Sequence, residues 1–336
     1  MKVAVLAPVA WRTPPRHYGP WEQVASNIAE GMIRKGVEVT LFATSDSITA
    51  GKLTAICARG YEEDRSQDAK VLECLHISNL MEMAEGFDLI HNNFDFLPLT
   101  YSGLIKTPIV TTIHGFSSQK IIPVYKKYNS RGHYVSISNA DRSPELDYIG
   151  TVYNGLNTDE FAFVENPDKY LVYFGRIHPD KGTAEAIEIA KKANRKLIIA
   201  GIIQDEGYYK NKVEPFIDND RVVYAGHAGP EKRKELLGNA AALLHPINFN
   251  EPFGMSVAEA MLCGTPVIAF NRGSMPELIE DKHTGFLVET IDEAVEAVDQ
   301  LSTINRQECH NWAASKFSRD KMVDDYYELY QQILAR

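Results

Sequence analysis

The chain is short of cysteine. Cys57, Cys74, Cys263 and Cys309 are scattered through 336 residues with no CxxC pair and no metal-ligand spacing. That excludes a disulfide-stapled scaffold and a zinc module, and reads as reduced thiols in a cytoplasmic protein. No apolar run approaches the roughly 20 residues a membrane helix needs. The apolar start MKVAVLAPVA soon meets Trp11, Arg12, Thr13 and two prolines, so it reads as a buried first strand rather than a secretory signal. An excess of positive charge is missing too. With 35 Lys and Arg against 45 Asp and Glu, the formal net charge is -10. This argues against a general nucleic-acid binder, because neutralising phosphates needs clustered Lys and Arg, and leaves open only a small local basic cluster. Internal repeats and low-complexity tracts are also absent.

What remains is an ordinary globular composition, 44% hydrophobic and 24% charged, with enough length for two domains. Short β-branched runs alternate with amphipathic stretches from end to end, the pattern of parallel strands covered by helices on both faces. The expected fold is α/β with two doubly wound sheets. In the first half the strand candidates are Lys2 to Ala7, Val37 to Ala43, Asp88 to His91, Ile109 to Ile113 and His133 to Ser136. In the second they are Tyr170 to Gly175, Lys196 to Gly201, Arg221 to Ala225, Ala241 to His245 and Pro266 to Phe270. The polar, turn-rich stretch from Asn154 to Lys169 reads as a hinge. Met322, Tyr326, Leu329 and Ile333 predict a final helix with one apolar face, docked at a place the sequence does not specify.

Ligands of open parallel sheets sit beyond the carboxyl ends of the strands, so the loops there are where chemistry is sought. Gly175-Arg176-Ile177-His178-Pro179-Asp180-Lys181-Gly182 follows one strand. Arg176 and Lys181 can both face an anion over the next helix start, where free N–H groups add positive potential. A diphosphate suits this loop; a solvated turn with two surface cations is the alternative. Glu251-Pro252-Phe253-Gly254-Met255-Ser256-Val257-Ala258-Glu259 follows another strand. Gly254 permits close backbone approach, Ser256 can cap the following helix and Gly264 can end it. Glu259, a turn inside that helix, can accept hydrogen bonds from a ribose, while Glu251 on the loop can meet a donor sugar. A plain amphipathic surface helix also accounts for Glu259 taken alone. Thr111 to Phe116 ends a strand with His114 beside Gly115, placed to bind a sugar hydroxyl, to relay a proton or merely to cap the strand. Tyr18-Gly19-Pro20-Trp21-Glu22 precedes a helix running to about Lys35. Gly19 lets phosphate or substrate come close, and Trp21 and Glu22 are acceptor-side candidates; a simple turn is the plainer reading.

In this order the four motifs resemble the family-4 retaining glycosyltransferases, enzymes of the GT-B architecture, over nearly the whole chain. The most specific element is EPFGMSVAE followed by AMLCGTPVIA, similar to the family's E-x7-E donor motif. GRIHPDKG resembles its phosphate loop, Asn154 to Asn157 its hinge segment, and His283 to Val288 its closing strand. The resemblance implies two facing Rossmann-like domains with an interdomain cleft: residues 1–153 on the acceptor side, a hinge over 154–169, a nucleotide-sugar domain over 170–318 and a terminal helix over 319–336. It implies that Arg176 and Lys181 meet the donor diphosphate, Glu259 the ribose, and Glu251 and His114 the transferred sugar. Backbone N–H groups near Phe253, Gly254 and Met255 would hold sugar and phosphate, and Gly19 would approach the phosphate. His114, Glu251, Arg176 and Lys181 make up the expected catalytic set. One departure is Gly19-Pro20-Trp21-Glu22, where many members have two glycines; proline removes a backbone donor. The amino-terminal half also resembles a bacterial subgroup that acts on small soluble acceptors, including a pteridine.

The expected activity is retaining transfer of a hexose from a nucleotide-diphosphate sugar, UDP-linked ahead of GDP-mannose, to a hydroxyl of a small molecule or saccharide. Neither cofactor nor metal is expected: Asp46, Asp88 and Asp95 form no DxD or His-cluster pattern, and basic residues can offset the leaving charge. The alternatives are a retaining sugar phosphorylase, a nucleotide-sugar epimerase, or an idle sugar-nucleotide binding protein. Lys120, Lys126, Lys127 and Arg131 around Ile121, Ile122, Val124 and Tyr125 suggest peripheral membrane contact, but Pro123 and the small charge count favour a solvated loop and helix.

Overall fold

The computed structural model describes residues 1–16, 19–116 and 118–335. They divide into two compact units, Met1–Gly155 with Arg319–Arg336, and Leu156–Ser318. In the first unit, among the described residues, seven strands form one parallel sheet: β1 (Lys2–Leu6), β2 (Glu38–Phe42), β3 (Lys52–Thr54), β4 (Leu89–Asn92), β5 (Ile109–Ile113), β6 (Gly132–Ser136) and β7 (Tyr148–Thr151). Helices α1 (Pro20–Arg34), α2 (Ala69–Glu82) and α3 (Ile122–Lys127) connect them. Both faces of the sheet's centre are covered, so β1 reads as an apolar run, and Val3, Ala4, Val5 and Leu6 are all fully buried. In α1 the buried Val24, Ala25, Ile28, Ala29 and Met32 recur at helical spacing and pack on that core.

In the second unit β8 (Leu171–Phe174) leads to α4 (Thr183–Lys192), β9 (Leu197–Ala200) to α5 (Glu206–Tyr208), and β10 (Val222–Tyr224) to α6 (Pro230–Gly238). Next come β11 (Ala242–His245), α7 (Met255–Leu262), β12 (Val267–Phe270), α8 (Met275–Leu278), β13 (Gly285–Val288), α9 (Ile291–Asp299) and α10 (Arg306–Phe317). The chain then returns to the first unit as α11 (Arg319–Leu334).

Every strand expected from the sequence forms, with ends differing by a residue or so, and β13 occupies the segment likened to a closing strand. The additions are the edge strands β3 and β7. The sheet orders are β3-β2-β1-β4-β5-β6-β7 and β10-β9-β8-β11-β12-β13. Each order reverses once, between β1 and β4 and between β8 and β11, and ligand crevices of doubly wound sheets open at such reversals.

The apolar face of α11 settles on the first unit: Met322, Val323, Tyr326, Leu329, Tyr330 and Ile333 join the core cluster that contains the buried face of α1. The two tyrosines keep their hydroxyls satisfied. Tyr326 bonds Thr112 at 2.7 Å and Tyr330 bonds His91 Nδ1 at 2.5 Å, while His91 Nε2 reaches Thr112 at 2.7 Å. Leaving such a buried group unpaired costs about 1–3 kcal/mol, so this network fixes the helix in register.

The stretch read as a hinge divides at Gly155 and Leu156, and most of it is anchored in the second unit. Leu156 and Phe161 are buried, and the Val164 N–H donates to the Cys263 carbonyl at 3.0 Å. The basic element around α3 turns its apolar residues inward: Ile122 and Tyr125 are buried, and Lys126 bonds Glu145 at 2.5 Å. No helix among the described residues is long and apolar enough to cross a membrane.

Candidate active site

In the second unit, the loops after β8 and β11 lie together at the sheet reversal. The loop after β8 is held by backbone bonds, Ile177 N–H to the Ile202 carbonyl at 2.8 Å and the Tyr173 hydroxyl to the Arg176 carbonyl at 2.9 Å. Gly182 makes the close approach possible. It begins α4 at φ 72°, and a Cβ there would fall 1.8 Å from the Pro246 carbonyl oxygen. The Asn248 N–H closes the junction by donating to the Asp180 carbonyl at 2.7 Å.

This junction sets Lys181 against Glu251. Their ion pair is nearly enclosed, with side chains 14% and 13% exposed, and the Lys181 ammonium lies 4.6 Å from the Phe249 ring centroid. Arg176 donates instead to Gln204. The two cations expected to share one anion therefore have different partners. His245, at the carboxyl end of β11, has its Nε2 3.8 Å from Glu251. Burial, and then the charge of Lys181, push its imidazole down to about 3, so it is neutral around pH 7.

Helix α7 starts at Gly254, whose φ of 97° suits glycine, and it has no side-chain cap. The expected cap, Ser256, is instead the second residue inside the helix, because the chain turns at Gly254. An uncapped start presents orphan N–H groups and positive potential, the setting in which anions bind. Met255 is the first helical residue, and Phe253 is buried with its carbonyl accepting from the Ser274 hydroxyl at 2.6 Å. Gly264 follows the helix at φ 82° and donates to the Met261 carbonyl at 2.9 Å, as a terminator does. Glu259 is almost fully buried. Desolvation raises its pKa, and Arg233 from α6, 3.2 Å away, opposes that rise. A carboxylate held this way is a preset acceptor for hydroxyl groups once Arg233 is shared.

In the first unit the loops after β1 and β4 border the start of α1. Tyr18 of the motif there lies outside the described residues. Gly19 is the cap position of α1, and a Cβ on it would fall 2.9 Å from Glu22 Oε2. Glu22 is buried and accepts from the Trp11 N–H at 3.2 Å, and desolvation pushes its carboxyl up to about 7. Trp21 stacks on His114, with ring centroids 5.5 Å apart and planes at 23°. His114 Nε2 is 3.1 Å from Asn93 Oδ1, and burial pushes the imidazole down to about 3. With Asn93 Oδ1 as acceptor, the ring carries its proton on Nε2 and enters any chemistry as a neutral donor.

The structure thus gathers Lys181, Glu251, Gly254 and Met255 in one unit and Gly19, Trp21, Glu22 and His114 in the other. Sequence reasoning missed Arg233, His245, Gln204 and Asn93. His245 carried the same signal as His114, a histidine at a strand end. The others are partners brought in from distant segments. Among the described residues, no three His, Cys, Asp or Glu side chains gather into a set able to hold a metal ion.

Residues 157–319 match the family described as glycosyl transferases group 1. The chain is similar to the uncharacterized glycosyltransferase MJ1607 of Methanocaldococcus jannaschii, at 24% identity over 98% of this chain and 94% of that protein. Among solved structures it is similar to AviGT4, a glycosyltransferase involved in avilamycin A biosynthesis, with 22% identity, 100% and 98% of the two chains covered, and a TM-score of 0.73. Anabaena HepE, solved in complex with UDP and glucose, gives 18% identity, 98% and 99% coverage and a TM-score of 0.73. The fold of this chain is accordingly GT-B, with two Rossmann-like units.

Proposed function

Residues 157–319 match the glycosyl transferases group 1 family, and from that premise we propose that the chain transfers a hexose from a nucleotide-diphosphate sugar to a hydroxyl acceptor with retention of configuration. The observation that carries this reading is the junction of the loops after β8 and β11, where Lys181 and Glu251 lie beside the uncapped start of α7. A UDP-sugar is the favoured donor, in keeping with HepE, whose solved complex holds UDP and glucose; GDP-mannose comes next.

In this reading the donor diphosphate lies over the loop after β8. Arg176 and Lys181 meet its oxygens, Glu259 accepts from the ribose hydroxyls, and N–H groups at Gly254 and Met255 hold phosphate and sugar. Glu251 bonds hexose hydroxyls, and in the first unit the neutral His114 donates a hydrogen bond to a sugar hydroxyl. The bond from the anomeric carbon to the phosphate oxygen breaks, and the bond to the acceptor oxygen forms on the same face. The acceptor's proton passes to the departing phosphate oxygen. Charge developing on the diphosphate is stabilised by the start of α7 and by the two cations, which exchange Gln204 and Glu251 for it. This arrangement supplies the stabilisation without a divalent ion, so turnover persists in excess chelator.

The test is a product-resolved donor panel. UDP-, GDP- and ADP-sugars are incubated with a mixed pool of small hydroxylated acceptors, and nucleotide release and new glycosides are followed by mass spectrometry. Release from one donor together with a new glycoside is the expected result. Phosphate-dependent disaccharide cleavage, or donor binding without turnover in every mixture, would replace this reading with a phosphorylase or an idle binder.

A further inference from the structure

The first unit contains a cavity of about 470 Å³ at its sheet reversal, between the loop after β1 (Pro8, Ala10, Trp11), the start of α1 (Gly19 to Glu22) and the loop after β4 (Phe94 to Leu97), closed by Tyr61 and Glu73. Its walls are of two kinds. Trp11, Trp21, Tyr61 and Phe96 are partly exposed aromatic rings, and Glu22, Glu73 and Asp95 are carboxyl groups. No Lys or Arg is among the described residues that line it. The nearby Arg16 is committed elsewhere, to Glu63 at 2.6 Å and Asp46 at 2.9 Å.

The carboxyl groups are fixed by internal hydrogen bonds. Glu22 accepts from the Trp11 N–H at 3.2 Å, Glu73 from the Tyr61 hydroxyl at 3.1 Å, and Asp95 from the Tyr125 hydroxyl at 2.5 Å. Asp95 is also held at φ 107°, a strained conformation for a side-chain-bearing residue. Burial raises the pKa of all three, which is the response of carboxyl groups taken from water with no cation beside them. Aromatic faces offer stacking to the C–H face of a hydroxylated ring, and carboxyl oxygens accept from its O–H or N–H groups. An incoming phosphate or carboxylate would meet like charge and no counterion.

We propose that this cavity is the acceptor subsite and that it selects a hydroxylated ring without an anionic group, uncharged or amine-bearing, while rejecting phosphorylated and carboxylated counterparts. The proposal rests on the transferase reading and deepens it by naming the acceptor class. Glu22, Glu73 and Asp95 are its specificity-determining residues.

Two of the chain's three tryptophans, Trp11 and Trp21, line the cavity, which supplies the readout. The intact protein is titrated with glucose, myo-inositol and glucosamine, and with glucose 6-phosphate and glucuronate, and intrinsic fluorescence is followed. The expected result is a saturable response to the first group, absent in Trp21→Phe for its share of the signal, and affinity for the anionic probes about tenfold or more weaker. Glu73→Gln, a change at a half-buried position, narrows that gap. Equal or tighter binding of glucose 6-phosphate, or no response to any probe, overturns the proposal. UDP-glucose is then added to the same samples, where its slow hydrolysis needs no acceptor. Absence of that hydrolysis with the selectivity intact counts against the transferase reading and not against the chemistry of the cavity.

Discussion

In the second unit, Lys181 lies against Glu251 and Arg233 against Glu259; after β1, β4 and β5, Glu22, Asp95 and His114 have no ion-pair partner among the described residues and are pushed toward their neutral forms. Both sets sit at a sheet reversal, so topology does not account for the difference. On the proposed function, what separates them is the charge each site handles. A site for a dianionic leaving group needs permanent cations, and without ligand those cations are stabilised by carboxylates that the ligand later shares. A site for an uncharged or amine-bearing partner needs directional donors and acceptors, which carboxyl groups with no cation beside them and a neutral imidazole supply.

Replacing Lys181 with Ala should break this contrast most strongly. On the proposed function it removes a cation that meets the diphosphate, and a loss of roughly 2–4 kcal/mol of transition-state stabilisation corresponds to a fall in kcat of about 30- to 900-fold. Arg176→Ala should act in the same direction, and steady-state kinetics on both variants checks it; unchanged turnover in both removes the phosphate assignment. His114→Ala loses one hydrogen bond and the ring stacked on Trp21. A fall in kcat of about tenfold with little change in donor affinity is expected, read at saturating donor and acceptor. With its imidazole held down to about 3, His114 should add no inflection to the rate between pH 5 and 8.

The neutral character of the first unit can be tested by stability alone. Glu22 has a folded pKa of about 7 against 4.5 for its ordinary value, so between these the folded state holds a proton that the unfolded chain has lost. Its contribution is therefore unfavourable above that window: stability falls as pH rises from about 4.5 to 7. Glu22→Gln keeps an acceptor for the Trp11 N–H and should match the parent near pH 4.5 but exceed it by on the order of 1–3 kcal/mol at pH 8. Denaturant titrations at the two pH values measure this, and a pH-independent difference would show that Glu22 is not desolvated. The smallest expected effect is that of a chelator, which should leave turnover unchanged because cations of the chain meet the leaving group.

The strands were legible because parallel strands buried on both faces are written as apolar runs such as Val3 to Leu6 and Ala242 to His245. Edge strands β3 and β7 were not, since Lys52–Thr54 is three residues long and Tyr148–Thr151 is only partly buried, so neither carries that pattern. The helical spacing of α11 was visible, but its destination depends on the α1 surface it covers. At the site, glycines and charged residues on strand-end loops gave Gly19, Lys181, Glu251 and Gly254. Direction did not follow from spacing: Arg176 and Lys181 share a loop yet take Gln204 and Glu251 as partners. Arg233 and Asn93 reach Glu259 and His114 from other elements, and only the folded chain brings them together.

The most direct test is the anomeric configuration of the first glycoside made from an α-linked donor, read from the anomeric proton by NMR. The account predicts an α-glycoside formed in step with release of the nucleoside diphosphate. A β-glycoside would contradict same-face transfer, and nucleotide release that never yields a glycoside with any hydroxylated acceptor would contradict transfer itself.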